Sequence, residues 1–327
     1  MEILVSVFVI TYNSSRFVLE TLESIKDQTY RYIELIISDD CSTDDTVDLC
    51  KDWIEKNKER FVKSTIITAS VNTGVTANCN RAVTAAKGNW LKGIAGDDVL
   101  MPNCIQDNVN YILQNPAVFL VQSKNILIDE ASQELPISTK RTVLYKQKIF
   151  NDHRITAKEQ HKLLLYSSNI IPATLFFKKE IYDVVGGYDE SIPMMEDRPF
   201  NLNVTSQGYK FHYFPETTVK YRIHNQSIVQ NALKDSIVNR NQLSLAAASE
   251  KYVYPYIKGV GLFIKKYHAF ITKKFYYSKQ NSRNFYNVFL WKLLTLPDTL
   301  NNKLQFFIQS LLLNIKWIIK YQKNINE

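Results

Sequence analysis

Residues 94–102 read IAGDDVLMP, in which two adjacent aspartates follow a short apolar run and precede a predicted helix. Two charges at the carboxyl end of a buried strand are costly unless a cation or a ligand meets them. Open α/β sheets bind their ligands at such strand ends. Asp97 and Asp98 are therefore candidate functional residues, and an ordinary helix N-cap is the alternative interpretation of the same pair.

Upstream of this pair, short apolar runs alternate with helical patterns. Strands are predicted at 3–10, 33–38, 65–69 and 90–95, and helices at 15–26, 45–58 and 75–87. This alternation predicts a parallel sheet covered by helices. Polar clusters follow the four strands at 11–13, 38–40, 70–74 and 96–98. Because the carboxyl ends of parallel strands meet at one edge, these clusters are expected to line a single crevice.

A second block and a tail follow. Strands are predicted at 173–178, 211–214 and 219–223, with a GGYDE turn at 186–190 and a helix near Glu196. Residues 130–160 are irregular and are expected to form a lid or connector over the site. The pattern becomes helical from about residue 227, which predicts two regions, 1–226 and 227–327.

The composition excludes a disordered or collagen-like chain, since 45% of the 327 residues are hydrophobic and only 9 are Gly and 9 are Pro. The formal charge of +8 comes from the tail. From Lys251 onward there are 13 basic residues and only two acidic ones, Asp298 and Glu327, which gives the tail a net charge of +11 and the rest of the chain a net charge of −3. Four cysteines without C-x-x-C spacing predict reduced thiols rather than a zinc site. We expect no signal peptide and no transmembrane helix, and hence a cytoplasmic protein.

Carboxylates dominate the polar clusters, and few basic residues lie beside them. A site that bound phosphate through protein cations alone would have the opposite composition. A divalent metal explains the pattern, because Asp98 can hold a hard cation, Mn²⁺ or Mg²⁺, that neutralises a diphosphate. The metal would act as a Lewis acid for the departing phosphate. The clusters therefore favour a nucleotide-activated substrate.

An ordered set of short motifs resembles the inverting family 2 glycosyltransferases of the glycosyltransferase-A fold over about residues 1–225. The set comprises SVFVITYN at 6–13, QTY at 28–30, IISDDCSTD at 36–44, NTG at 72–74, AKGNW at 86–90, GDD at 96–98, GYDE at 187–190 and ED at 196–197. Single motifs are weak signals, but their order and spacing together are specific. The resemblance implies a Rossmann-like mixed sheet flanked by helices, with the nucleotide sugar in 1–125 and the acceptor in 126–226.

The resemblance also implies roles for the matching residues. Asp40 would hydrogen-bond the uracil, Asp97 would contact the ribose and Asp98 would hold the metal. The nucleotide-sugar set that it implies is Thr11, Asn13, Asp39, Asp40, Asn72 and Asp97. Helix capping is the alternative for the aspartates at 39–40, and a simple turn is the alternative for Asn72.

Asp197 is the predicted general base. It would take the proton from the acceptor hydroxyl as that oxygen attacks the anomeric carbon, so that one in-line displacement inverts the configuration. A favourable charge in the first turn of a helix is the alternative role for Asp197 and Glu196. Asp189 and Glu196 are placed on the acceptor side, with Asp189 as the competing base. His224 resembles the family's late histidine, which completes the metal shell in some members; a structural histidine at a strand end is the alternative.

Two positions depart from the family pattern. Ala95 occupies the first acidic position of an Asp-x-Asp-Asp motif that many relatives carry, which leaves fewer metal ligands. Cys79 stands where relatives often have an arginine, and Arg81 is a candidate replacement. Both departures favour, as an alternative, a nucleotide-sugar- or glycan-binding protein without turnover.

The tail carries a helical stripe of apolar residues. Its members are Leu300, Leu304, Phe307, Ile308, Leu311, Leu312, Ile315, Ile318 and Ile319. Lys303, Lys316 and Lys320 lie off the stripe, and Phe306, Leu313 and Trp317 form a smaller patch on the far side. Packing on the catalytic domain and docking on a membrane surface are both compatible with this pattern. Nucleic acid is the least favoured partner.

The motifs together predict a metal-dependent inverting glycosyltransferase. Its donor would be a UDP-sugar, and its acceptor a hydroxyl of a lipid-linked glycan in O-antigen, capsule or exopolysaccharide synthesis at the cytoplasmic face of the inner membrane. A sugar nucleotidyltransferase is a further alternative. That class needs a Gly-rich, basic phosphate loop after the first strand, and residues 11–15 read TYNSS.

Overall fold

The computed structural model describes residues 2–136, 147–167, 170–192, 194–224 and 236–326, with side chains as far as Ile319 in the last helix. The strands are β1 Val5–Thr11, β2 Ile33–Asp39, β3 Lys63–Thr68, β4 Trp90–Ala95, β5 Val99–Leu100, β6 Leu120–Ile128, β7 Phe176–Lys178 and β8 Phe211–Arg222. The α-helices are α1 Val18–Lys26, α2 Thr46–Asn57, α3 Val75–Ala85, α4 Cys104–Gln114, α5 Ala157–Leu164, α6 Lys179–Val185, α7 Asp197–Ser206, α8 Arg240–Tyr252, α9 Gly259–Tyr276 and α10 Phe285–Asn326.

The described strands form one mixed sheet in the order β3-β2-β1-β4-β7-β6-β8-β5. The pairs among the first four strands are parallel, as the alternation of strands and helices predicts. β7 runs antiparallel to both of its neighbours, and β5 runs antiparallel to β8. The mixed sheet flanked by helices confirms the predicted fold class.

β1 lies where the strand order reverses, between β2 and β4. Its last residue, Thr11, is in register with Asp39, and Ile10 is in register with Ala95. The polar clusters that follow these three strands therefore come to one edge of the sheet. A Cβ atom added at Gly96 would lie 2.9 Å from Thr11 Cγ2, so the Gly-Asp-Asp turn approaches the end of β1 closely because residue 96 is glycine.

β8 corrects one detail of the prediction. The sequence predicts two strands at 211–214 and 219–223, whereas the structure has one long strand. Its register with β6 shifts between the pairs Gln122–Tyr213 and Lys124–Thr217. Pro215 lies within this irregularity, where the ladder does not need its missing N–H.

The chain divides into two compact units. The first holds the whole sheet and comprises 1–139, 170–200 and 209–225; the second comprises 140–169, 201–208 and 226–327. The predicted helical extension thus shares its unit with two segments that the prediction assigned to the acceptor half. The lid predicted over 130–160 falls partly on residues outside the described ones, and α5 begins at its end with a Thr156–Glu159 capping box.

The helical unit is built around α8, α9 and α10. Buried Ile237, Val238 and Phe275 form a small core with Trp291 and Leu294. α8 begins with a second capping box, Asn239 with Gln242. Among the described helices, none is both long enough and apolar enough to cross a bilayer.

Candidate active site

Asp39, at the end of β2, is a structural residue of the site. It is buried and accepts hydrogen bonds from Thr11 Oγ1 at 2.7 Å, from Ser42 Oγ at 2.5 Å and from the Ser42 backbone N–H at 2.8 Å. These bonds hold the loop that precedes α2 against the end of β1. Asp39 therefore holds the loop in place and does not cap α2, which begins at Thr46 and has Asp45 at its N-cap without a capping side-chain bond.

Asp40 is the centre of a second network. Its carboxylate accepts hydrogen bonds from Thr73 Oγ1 at 2.6 Å, from the Gly74 N–H at 2.7 Å and from Arg81 Nη2 at 2.6 Å. Burial by itself raises the pKa of Asp40, but the hydrogen bonds from Thr73, Arg81 and Gly74 hold that pKa below its usual value. Asp40 is thus an ionised acceptor, and Arg81 is the arginine that contacts it, while Cys79 is buried.

Asn13 and Asn72 lie on the exposed rim of the same region. Asn13 has a φ of 50°, and its Oδ1 accepts a hydrogen bond from the Thr43 N–H at 2.8 Å. Asn72 Oδ1 accepts a hydrogen bond from the Gly74 N–H at 3.2 Å, which is the turn interpretation of this residue. Tyr12, which the sequence analysis left without a role, is 49% exposed beside them and offers an aromatic face to a base.

The two aspartates of the Gly-Asp-Asp turn have opposite environments. Asp98 is buried, and its Oδ1 accepts the Arg222 backbone N–H at 2.8 Å. Burial and the adjacent charge of Asp97 raise the pKa of Asp98 well above its usual value. Asp97 is partly exposed, and its Oδ2 lies 2.8 Å from His224 Nε2. The role of Asp98 as metal ligand stays a prediction. Asp97 is the more exposed of the two aspartates and is the one that contacts His224.

Arg222 ties this turn to the rest of the sheet unit. Its buried guanidinium bonds Glu20 Oε2 at 2.6 Å, the Asp97 carbonyl at 2.7 Å and the Asp129 carbonyl at 2.9 Å. It also lies 4.7 Å from the centre of the Phe17 ring. The sequence pattern assigns no role to Arg222. The structure makes it the residue that fixes the Gly-Asp-Asp turn on β8.

Removing this guanidinium is expected to destabilise the protein. In an Arg222→Gln variant the buried carbonyl of Asp97 loses its donor and Glu20 loses its partner, so the free energy of unfolding falls by about 3 kcal/mol. Urea unfolding measures this loss. The matched control is Arg16→Gln, which removes the exposed Arg16–Glu130 ion pair and should cost about 0.5 kcal/mol. Equal losses in the two variants would contradict the role given to Arg222.

A second acidic pair opens α7. Asp197 Oδ1 accepts the Arg198 N–H at 2.7 Å. Burial, together with the charge of Asp197, raises the pKa of Glu196 to about 7, and burial also raises the pKa of Asp197. Asp189 instead bonds its own turn, accepting the Ser191 N–H at 3.1 Å and the Ser191 hydroxyl at 2.7 Å. This turn interpretation makes Asp189 the weaker candidate for the base.

Tyr221 on β8 is influenced by the charges of both acidic pairs. Burial and then the negative charges of Asp98, Asp97, Glu196 and Asp197 raise the pKa of Tyr221 to about 12. Two carboxylate pairs about 100 residues apart in the sequence thus act electrostatically on one phenol. Nothing in the sequence pattern indicated Tyr221.

Helix α3 joins the Asp40 network to the segment before this second pair. Thr76 Oγ1 donates to the Ile192 carbonyl at 2.9 Å. Asn80 Nδ2 donates to the Tyr188 carbonyl at 2.9 Å and to Glu190 Oε1 at 2.7 Å. Since Arg81 of the same helix bonds Asp40, one helix positions residues on both sides of the site.

The donor set determines which metal the site would suit. Among the described residues, no group of three or more His, Cys, Asp or Glu side chains could hold a metal ion. Asp97 Oδ2 and His224 Nε2 are hydrogen-bonded to each other, and a cation held by both would take the place of the proton between them. Two protein ligands fit Mg²⁺ or Mn²⁺, which take their remaining ligands from phosphate oxygens and water, and the imidazole favours Mn²⁺.

This sheet order, with carboxylates gathered at the carboxyl edge of its parallel strands, fits the glycosyltransferase-A architecture. The chain belongs to the glycosyl transferase family 2, whose sequence profile matches residues 6–186. The family and the enzyme class predicted from the motifs are thereby confirmed.

Named relatives agree with this assignment, and two solved structures share the fold. An uncharacterized glycosyltransferase of Haemophilus influenzae is 24% identical over 99% of this chain and 98% of its own. The UDP-Glc:alpha-D-GlcNAc-diphosphoundecaprenol beta-1,3-glucosyltransferase WfaP of Escherichia coli is 27% identical over 73% of this chain and 85% of its own. The crystal structure of residues 1–349 of TarS from S. aureus with UDP-GlcNAc shares the fold, with a TM-score of 0.60, 16% identity and coverage of 89% of this chain and 79% of that chain. The mannosyltransferase PcManGT of Pyrobaculum calidifontis, solved with GDP-Man and Mn²⁺, has a TM-score of 0.57, 17% identity and coverage of 95% and 86%.

Proposed function

We propose that this glycosyltransferase transfers a sugar from a UDP-sugar to a hydroxyl of a lipid-linked glycan, with inversion at the anomeric carbon, in the synthesis of an O-antigen, capsule or exopolysaccharide. The observation that carries the proposal is that two acidic pairs both raise the pKa of Tyr221. Asp97, which is hydrogen-bonded to His224, belongs to one pair, and Glu196 and Asp197 form the other.

The uridine side of the proposal rests on Asp40. Because this carboxylate stays ionised, its remaining acceptor capacity suits the N3–H of uracil. Guanine would instead present its N1–H and amino group over a wider edge. Thr11, Asn13 and Asn72 flank this pocket in the proposal. The UDP-GlcNAc bound to TarS and the UDP-Glc named for WfaP support the same donor class.

The diphosphate side rests on Asp97 and His224. We revise the predicted roles of the two aspartates. In the revised proposal Asp97 and His224 hold Mn²⁺ or Mg²⁺, and Asp98 accepts the Arg222 N–H and so fixes the Gly-Asp-Asp turn on β8. The cation supplies Lewis-acid neutralisation of the diphosphate. The ribose contact predicted for Asp97 passes to the neighbouring backbone of the Gly-Asp-Asp turn.

The acceptor side rests on Asp197. Its raised pKa makes the ionised carboxylate a stronger base near neutral pH. The acceptor oxygen forms a bond to the anomeric carbon, the bond from that carbon to the diphosphate oxygen breaks, and the hydroxyl proton passes to Asp197. One displacement of this kind inverts the configuration. Glu196 lies next to this base, and the charge of Asp197 helps to raise the pKa of Glu196. Asp189 shapes the turn on the acceptor side.

The activity should therefore have an acid limb above the ordinary pKa of an aspartate. Burial raises the pKa of Asp197, and since only the ionised base accepts a proton, kcat rises with pH through that pKa. A Glu196→Gln variant should keep this limb, because burial rather than Glu196 raises the pKa of Asp197, whereas Asp197→Asn should remove it. A pH profile of kcat at saturating donor checks this, and a limb that persists in Asp197→Asn would contradict it.

The acceptor is proposed from chemistry rather than from a described pocket. The relative WfaP is named for a diphosphoundecaprenol-linked acceptor, which resides in a membrane. We therefore place this protein at the cytoplasmic face of the inner membrane as a peripheral protein. No nucleic acid is expected among its partners.

The decisive experiment offers the full chain a set of donors. UDP-glucose, UDP-galactose, their N-acetyl forms and GDP-mannose are each incubated with Mn²⁺ or EDTA and an undecaprenyl-diphosphate-linked sugar. Metal-dependent extension of the acceptor by one sugar from a UDP donor is expected. Binding of a UDP-sugar without transfer or hydrolysis would instead support the binding-protein alternative. Release of pyrophosphate from UTP and a sugar phosphate would support the nucleotidyltransferase.

A further inference from the structure

Helix α10 has its polar and apolar faces the opposite way round from an ordinary surface helix. Its buried face is largely polar: beside the apolar Phe306 and Leu313, the residues Asn287, Thr295, Asp298, Asn301 and Ser310 are each at most 9% exposed. Its apolar face is exposed, with Leu304 at 55% and Phe307 at 57%. A helix on the surface of a soluble protein normally buries its apolar stripe and turns its polar side to water.

Hydrogen bonds fix this orientation. Lys265 of α9 is buried, and its Nζ lies 3.0 Å from Asp298 Oδ1 and 2.7 Å from Asn302 Oδ1. Asn302 Nδ2 also donates to Asp298 Oδ2 at 2.9 Å. Rotating α10 to bury its apolar face would leave the buried ammonium of Lys265 without its partners, which is strongly unfavourable.

The apolar stripe predicted from the sequence is the exposed face. All nine of its residues, from Leu300 to Ile319, are exposed, whereas Phe306 and Leu313 of the smaller patch are 3% and 5% exposed. We call these nine residues the apolar stripe. Exposed Phe285, Tyr286, Phe289, Leu293 and Leu296 continue it toward the start of α10. Soluble proteins usually expose apolar residues singly, whereas here the exposed apolar residues form one continuous patch.

The charges around the stripe favour an anionic surface as its partner. The tail from Lys251 has a net charge of +11. At about 100° per residue, exposed Lys292 and Lys303 lie on one border of the stripe and Lys316 lies on the other. α9 adds exposed Phe263 and Phe270, with Lys274 Nζ 5.5 Å from the Phe270 ring centre. Lysines bordering an apolar face extend to phosphate headgroups while their stems stay in the apolar layer.

We propose that the apolar stripe of α10 lies in the plane of an anionic phospholipid bilayer and docks the enzyme there. The exposed apolar residues occupy one side of α10, and the described part of α10 is not apolar enough to cross a bilayer. Helices that lie in the plane of a membrane surface have this amphipathic pattern. This deepens the proposed function, since a carrier-linked acceptor would lie in the same membrane.

Vesicle flotation of the full chain tests the proposal. We expect binding to vesicles of phosphatidylcholine with phosphatidylglycerol, and much weaker binding to phosphatidylcholine alone. A Leu304→Gln/Phe307→Gln/Leu311→Gln variant should lose about tenfold or more in partitioning. The matched control, Leu113→Gln/Val184→Gln, removes apolar residues that are also exposed but lie in the sheet unit, and should bind as the unchanged protein does. Lys292→Gln/Lys303→Gln should lose about fivefold for each lysine on anionic vesicles.

Circular dichroism and the Tm confirm that each variant is folded. Unchanged vesicle binding by the folded triple variant would overturn the proposal. A second result would also overturn it: the unchanged protein does not bind vesicles and forms a dimer in light scattering, and the triple substitution dissociates that dimer. The stripe would then be the contact with a second copy. Transfer to a short, water-soluble acceptor analogue should survive the triple substitution. If vesicle binding holds but no acceptor is extended, the proposed function fails and the docking surface stands.

Discussion

Replacing Asp197 by asparagine is expected to lower kcat by about 10²–10⁴-fold, the usual contribution of a general base. The amide keeps the shape and can still accept the Arg198 N–H, but it cannot take a proton from the acceptor hydroxyl. Binding of UDP and the Tm should therefore stay close to those of the unchanged enzyme. Steady-state transfer rates, with calorimetric binding of UDP, measure both properties.

Asp189→Asn is the matched control for this loss. Asp189 is the competing base, but its Oδ1 bonds Ser191, so the asparagine should retain most of the activity. If Asp189→Asn abolished transfer and Asp197→Asn preserved it, the base would have to be reassigned to the Gly-Gly-Tyr-Asp-Glu turn.

The second large effect concerns the metal. Asp97→Asn and His224→Ala should each lower kcat by about 10²–10³-fold, because each removes a ligand of the cation that stabilises the leaving diphosphate. Binding of Mn²⁺ in the presence of UDP, followed by electron paramagnetic resonance, should weaken in parallel. This readout does not depend on turnover.

Asp98→Asn separates the revised assignment from the original prediction. Burial already favours the neutral form of Asp98, and an asparagine oxygen can still accept the Arg222 N–H. We therefore expect Mn²⁺ affinity to change by less than about threefold. Loss of Mn²⁺ binding in Asp98→Asn, with binding preserved in Asp97→Asn, would restore the role that the sequence predicts for Asp98.

The sequence predicts the donor half well because its signals are local. Each of the first four strands is a short apolar run, and each polar cluster directly follows its strand, so the edge of the sheet could be placed without tertiary information. Which of two adjacent aspartates faces solvent is a different kind of question. Asp97 and Asp98 are chemically identical, and only the pairing of β5 with β8 puts Asp98 against the Arg222 N–H.

The same limit explains the residues that were missed. Arg222 and Tyr221 act on residues about 125 positions earlier, through strands that are neighbours only in the folded sheet. In the tail, periodicity identifies both apolar faces of α10. It cannot say which face is buried, because that depends on the Lys265–Asp298 ion pair with α9.

Helix α3 connects the nucleotide side of the site to the acceptor side, and this connection affects the kinetic constants of variants in the helix. Arg81 is bonded to Asp40, while Asn80 and Thr76 hold the backbone of 188–192 just ahead of Glu196. A substitution made to test nucleotide affinity at Arg81 therefore also disturbs the segment that leads to the base. Changes in KM and kcat at this helix cannot be assigned to separate steps of the kinetic cycle, and only double substitutions that pair an α3 residue with Asp197 can partition them.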